Sequence, residues 1–94
     1  SEDFDKHLRN SEAVIDYFKS NLNKLDKWTE ESIEKVVEGA KNDLALPMPK
    51  IGLPLRVALL GRAKSPQLNS TIYLIEKEKV IERLIKALEI ITEH

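Results

Sequence analysis

The fold class turns on Thr71-Ile72-Tyr73-Leu74-Ile75, a stretch that is β-branched or aromatic at every position but Leu74. Local preference alone would make it a strand. A lone strand, however, leaves its backbone donors and acceptors unmade, and nothing else in the sequence offers a second strand to pair with it. Helical spacing does continue through it, because Leu68, Ile72 and Ile75 recur at intervals of three and four residues. The stretch is therefore expected to be helix, ending at about Leu74 or Ile75 and opened by Ser65-Pro66 as a cap followed by proline. The chain reads as all-α.

The flanking sequence supports that reading. Lys77 or Glu76 opens a charged amphipathic helix in which Val80, Ile81, Leu84, Leu88 and Ile91 face inward and Glu82 and Lys86 can pair on the outside. Before Ser65, the segment Leu46 to Pro54 holds Pro47, Pro49, Gly52 and Pro54. Prolines so placed are expected to stop any helix from passing, leaving Pro54 to open a short helix over Leu55 to Leu60 that Gly61 closes in the left-handed conformation. Further upstream, Thr29 is expected to cap a helix that begins with Glu30 and Glu31 and buries Ile33, Val36, Val37, Ala40 and Leu44. Trp28 is placed to fold back on Ile33 as a hydrophobic staple. Val14, Ile15, Phe18, Leu22 and Leu25 mark the first helix, capped by Asn10 or Ser11, while residues 1–10 show no clean periodicity, and whether they are ordered is left open. The sum is a single helical domain over 1–94, a compact cage or bundle of about five short helices.

Composition limits what such a domain can do. With 94 residues the chain builds one core and has little room for a deep enclosed active site. It has no cysteine, which excludes disulfides, thiolate metal sites and a Cys nucleophile. Its two histidines, His7 and His94, stand at opposite ends without metal-ligand spacing, and its three glycines, Gly39, Gly52 and Gly61, form no phosphate-cradling loop. No catalytic residues and no metal site are expected. No apolar run approaches ~18 residues and the opening residues are acidic, so neither a membrane span nor a signal peptide is expected.

Charge is distributed unevenly. The net charge is −1 overall, yet residues 44–75 hold Lys50, Arg56, Arg62 and Lys64 and no acid. Screening restricts a bound anion to the nearby potential, so this middle third is the natural anion-facing surface of a nearly neutral chain. Loops held by a helical scaffold are where binding groups are displayed.

Within that third runs Pro54-Leu55-Arg56-Val57-Ala58-Leu59-Leu60-Gly61-Arg62, followed by Ser65-Pro66-Gln67-Leu68. This pattern resembles the C-terminal anticodon-binding region of bacterial-type glutamyl-tRNA synthetases, in which a Pro-Leu-Arg-x-Ala-Leu-x-Gly stretch leads to Ser/Thr-Pro-x-Leu and a charged final helix. Trp28-Thr29-Glu30-Glu31 and Lys77-Glu78-Lys79-Val80-Ile81-Glu82-Arg83-Leu84 look like the family's flanking helices, and the resemblance spans about residues 12–88. Two departures stand out: Leu60 where the family often has Thr, and Glu76 where a Gly usually opens the last helix.

The resemblance implies an anticodon-loop recognition module whose parent, a class I glutamate–tRNA ligase, uses ATP and Mg²⁺ to attach glutamate to tRNA. No nucleotide-binding signature of that family occurs here, so this chain is expected to be one part of a longer enzyme, with upstream domains as partners and no cofactor of its own. Arg56 is similar to the arginine that helps read the middle anticodon base, and Ser65 to the residue that bonds the same base. Pro66, Gln67 and Leu68 match the loop that meets the first base. Lys64 and Arg62, and more distantly Lys50, would attract the loop's phosphates. A cytoplasmic monomer that binds neither DNA nor membrane is expected. The competing expectation is a helical protein-interaction domain whose basic loop meets an acidic partner.

Overall fold

The computed structural model describes residues 2–62 and 64–93, with side chains from residue 10 onward. Five helices follow one another: α1 (Glu2–Asn23), α2 (Glu30–Leu44), α3 (Met48–Leu60), α4 (Leu68–Ile75) and α5 (Lys77–Thr92). No strand occurs among the described residues, so the β-branched run of α4 yields to its helical surroundings. Thr71 and Ile72 are buried and Leu74 is exposed.

α1 packs chiefly against α5 and also touches α2 and α3, while α4 bridges α2 and α5. Val14, Ile15, Phe18 and Leu22 of α1 meet Ile33, Ile51, Leu55, Ile72, Val80 and Leu84 in one fully enclosed cluster. The helix begins at Glu2 rather than at Asn10 or Ser11, which lie in its interior and cap nothing. No proline or glycine occurs before Gly39, and extending an existing helix costs far less than nucleating one. Twenty-two residues of helix make α1 about 33 Å long, within a molecule measuring 40 × 24 × 24 Å. The side chains of residues 1–9, His7 among them, and His94 lie outside the described residues.

α2 opens as the sequence indicates. The Ser32 N–H donates to Thr29 Oγ1 at 3.0 Å and the Thr29 N–H to Ser32 Oγ at 3.1 Å, a reciprocal capping box worth about 1 kcal/mol. Trp28 is half-buried against the core that contains Ile33, and its Nε1 donates to the Tyr73 carbonyl at 3.1 Å. α1 and α2 are joined at the surface by Tyr17, whose hydroxyl donates to Asp43 at 2.8 Å. A Cβ on Gly39 would stand 2.8 Å from that hydroxyl, so the missing side chain makes room for the bond.

α3 departs most from expectation, because a helix does pass through the proline segment. Pro47 is its N-cap and Pro49 lies in its first turn, where backbone N–H groups have no intrahelical acceptor and a proline loses nothing. Pro54 sits inside the helix, deprives the Lys50 carbonyl of its usual donor, and costs about 3 kcal/mol. Burial of Ile51, Leu55 and Leu59 on one face offsets that cost. Gly61 closes α3 at φ 73°, ψ 14°, its N–H donating to the Val57 carbonyl at 2.9 Å.

α4 starts at Leu68 with Gln67 as N-cap, so Ser65 is not the cap and Pro66 is not the first helical residue. α5 follows directly, and Glu76 between them adopts φ 78°, ψ 147°. Lys77 Nζ donates to the Leu25 carbonyl at 2.9 Å, and Arg83 Nη1 to that of Leu59 at 2.7 Å. Among the described residues the ion pairs are Lys19–Asp16 and Lys41–Glu38, each at 3.5 Å. The expected Glu82–Lys86 pair is not formed; both side chains are exposed, where such a pair gains only about 0.3–0.5 kcal/mol.

Candidate functional site

α3, the turn after Gly61 and the start of α4 converge on Arg56. Its Nε donates to Ser65 Oγ at 2.8 Å, and that hydroxyl in turn donates to the Pro66 carbonyl at 2.8 Å. Thr71 Oγ1, from α4, reaches the same carbonyl at 3.4 Å. A serine hydroxyl has one proton and two lone pairs; Ser65 gives its proton to Pro66 and uses one lone pair on Arg56 as the hinge of this relay. This explains why it does not cap α4: its oxygen is held by Arg56.

Among the described residues, Nε alone of the Arg56 guanidinium is engaged. Nη1 and Nη2 make no hydrogen bond and no ion pair among the described residues. No buried side-chain nitrogen or oxygen there lacks a partner, so neither Nη is fully enclosed. The result is a half-buried, oriented arginine that presents the outer edge of a planar donor fork.

The neighbouring residues complete the surface. Arg62, Lys64, Pro66 and Gln67 are exposed along the turn, and Ser65 is half-buried behind them. Leu68 differs from what the resemblance suggests: at 3% exposure its side chain belongs to the core, and no apolar surface remains there for a base to rest on. Pro66 supplies the exposed apolar ring instead. Gln67 makes no side-chain cap, so the first-turn N–H groups of α4 stay at the positive end of its dipole without a side-chain acceptor from the cap position. Glu30 approaches from α2 and accepts a hydrogen bond from Ser70 Oγ. Lys50 stands apart. It lines a groove of about 750 Å³ between α1, α3 and α5, together with Leu53, Val57 and Arg83.

Gly52 and Thr71 belong to the site although the sequence did not single them out. Thr71 secures the Pro66 carbonyl. Gly52 lies one helical turn before Arg56, and a Cβ there would fall 2.5 Å from Arg56 Nη1; a glycine four residues ahead of a functional arginine in a helix was the available signal. No group of three His, Asp or Glu side chains converges as a metal site would, among the described residues. No helix there is long and apolar enough to cross a membrane.

A half-buried arginine with two unbonded Nη groups among the described residues, an exposed proline, flanking cations and a helix start suit an unstacked, negatively charged ligand with acceptor groups on a planar ring. The family model described as an anticodon binding domain matches residues 1–88 of the sequence. The chain belongs to that family, which makes a tRNA its partner and an aminoacyl-tRNA synthetase its parent.

Proposed function

From that membership we propose that the chain reads the anticodon loop of glutamate tRNA for an ATP-dependent glutamate–tRNA ligase. The observation that carries the proposal is the Arg56–Ser65–Pro66 relay, which brings together three residues that the glutamyl family pattern holds in the same order. Arg56 directs its free Nη donors at the middle anticodon base, with Ser65 beside it. Pro66, Gln67 and the main chain of Leu68 meet the first base. Arg62 and Lys64 hold the loop's phosphates without regard to sequence.

The module contributes recognition rather than bond-making. One good base contact is worth ~1–3 kcal/mol of discrimination, enough to bias which tRNA docks while the reaction proceeds elsewhere. ATP and Mg²⁺ belong to the parent's catalytic part, since the scattered Gly39, Gly52 and Gly61 form no phosphate cradle here. The upstream domains would read the third base. We place the chain's work in the cytoplasm as a monomer.

The test is a fluorescence titration of the chain with a glutamate anticodon stem-loop and with the same loop changed at its middle base, at several salt concentrations. The proposal expects tighter binding to the first loop and a loss of that preference in Arg56→Ala. Equal binding of the two loops by the unmodified chain would remove it.

A further inference from the structure

Glycine inside a helix is unfavourable, and α3 already carries Pro49 and Pro54. Gly52 nonetheless sits in the middle of it, buried. What occupies the space its side chain would take is informative. The three atoms nearest a Cβ built there are all from Arg56: Nη1 at 2.5 Å, Cζ at 3.5 Å and Nη2 at 3.9 Å. A glycine demanded by core packing would meet core side chains first; this one meets only the guanidinium.

We infer that Gly52 is a positioning residue, a bare stretch of backbone on which the Arg56 guanidinium lies. This rests on the reading of Arg56 as the base-reading residue. The Ser65 bond holds the guanidinium by Nε at 2.8 Å, and Gly52 admits Nη1 on the other side. Between them the fork has one orientation in the absence of RNA. Preorganisation of this kind lowers the ordering cost on binding and fixes which donors a base encounters. A methyl at residue 52 overlaps Nη1 at 2.5 Å, so the fork must shift, and its bond from Nε to Ser65 weakens with it. The flexible arginine absorbs the change, and the core does not.

Three measurements on Gly52→Ala separate this role from a structural one. Thermal melting should show no loss of stability, because Ala favours helix more than Gly does. The Arg56 Nε–H resonance of ¹⁵N-labelled chain, assigned by its loss in Arg56→Lys, should exchange with water about tenfold faster, as it should in Ser65→Ala when its acceptor is removed. In stem-loop titrations the preference for the correct middle base should fall about tenfold. In an Arg56→Lys background Gly52→Ala should change nothing further, since a lysine has no planar fork to seat. If the Ala variant keeps slow Nε–H exchange and full base preference, or if it melts markedly lower, Gly52 is not a seat for Arg56. A failure of the unmodified chain to prefer either loop would instead overturn the anticodon reading, while the resonance still reports on the seat.

Discussion

Glu76→Gly should stabilise the protein. At φ 78°, ψ 147°, Glu76 lies close to a backbone region that is essentially reserved for glycine, where a residue with a side chain is strained by about 1–3 kcal/mol. The substitution surrenders little. The Glu76 side chain makes no capping bond, and the main-chain bonds from its N–H to Tyr73 at 3.3 Å and to its carbonyl from Val80 at 3.0 Å are kept. Against the relief stand the entropy of a more flexible unfolded chain, about 0.5–1 kcal/mol, and the loss of a carboxylate at the α5 N-terminus, about 0.3 kcal/mol or more when exposed. The net gain is about 1 kcal/mol, which raises Tm by about 4–8 °C in a domain this size. Thermal and urea melts of the wild type, Glu76→Gly and Glu76→Ala decide it. Ala keeps the strain and loses the charge, so it should be no more stable than the wild type. If Ala and Gly stabilise equally, the effect is electrostatic and the strain argument fails. The resemblance to the glutamyl family, which usually has Gly at this position, agrees with the backbone requirement.

Other outcomes are open to direct measurement. Ala45 closes α2 at φ 53°, ψ 45°, so Ala45→Gly should gain roughly 0.5 kcal/mol in urea melts once glycine's unfolded-state entropy is subtracted. Burial first, then the hydrogen bond to Asp43 and its charge, raise the Tyr17 pKa above its ordinary value. A raised pKa stabilises the fold fully below about pH 10 and loses that contribution as pH climbs through the folded value, so melts taken across this range should fall less steeply for Tyr17→Phe. Lys64→Ala should weaken every stem-loop alike and lower the slope of log K against log salt by about 0.7; an effect confined to one anticodon would contradict a phosphate role.

Much of the fold was legible because single residues carried the signals. Thr29 with Glu30 and Glu31 marked the α2 start, Gly61 marked the α3 end, and the absence of a partner strand settled Thr71 to Ile75. α3 was misread because a proline's penalty depends on where it falls: in the first turn it removes nothing, and at Pro54 the packing of Ile51, Leu55 and Leu59 outweighs it. Sequence spacing reports the penalty and not the compensation. α1 began earlier than its apolar pattern because a packed helix runs on until something stops it, and residues 2–10 contain no such stop. At the site, Arg56, Ser65 and Pro66 were found together, but Ser65 serves the arginine rather than the helix. Leu68 was on the correct loop with its side chain turned to the core. Gly52 reads in the sequence only as part of a helix-breaking segment; its place beside Arg56 shows once α3 is seen to run through that segment.

The two bonds at the strained corner also bear on kinetics. Trp28 reaches Tyr73 and Lys77 reaches Leu25, joining positions 45 and 52 residues apart in the chain. Closing spans of that length carries an entropic cost, and the corner around Glu76 is expected to form after the folding transition state. Relief of strain there should act mainly as a brake on unfolding, leaving the refolding rate nearly unchanged.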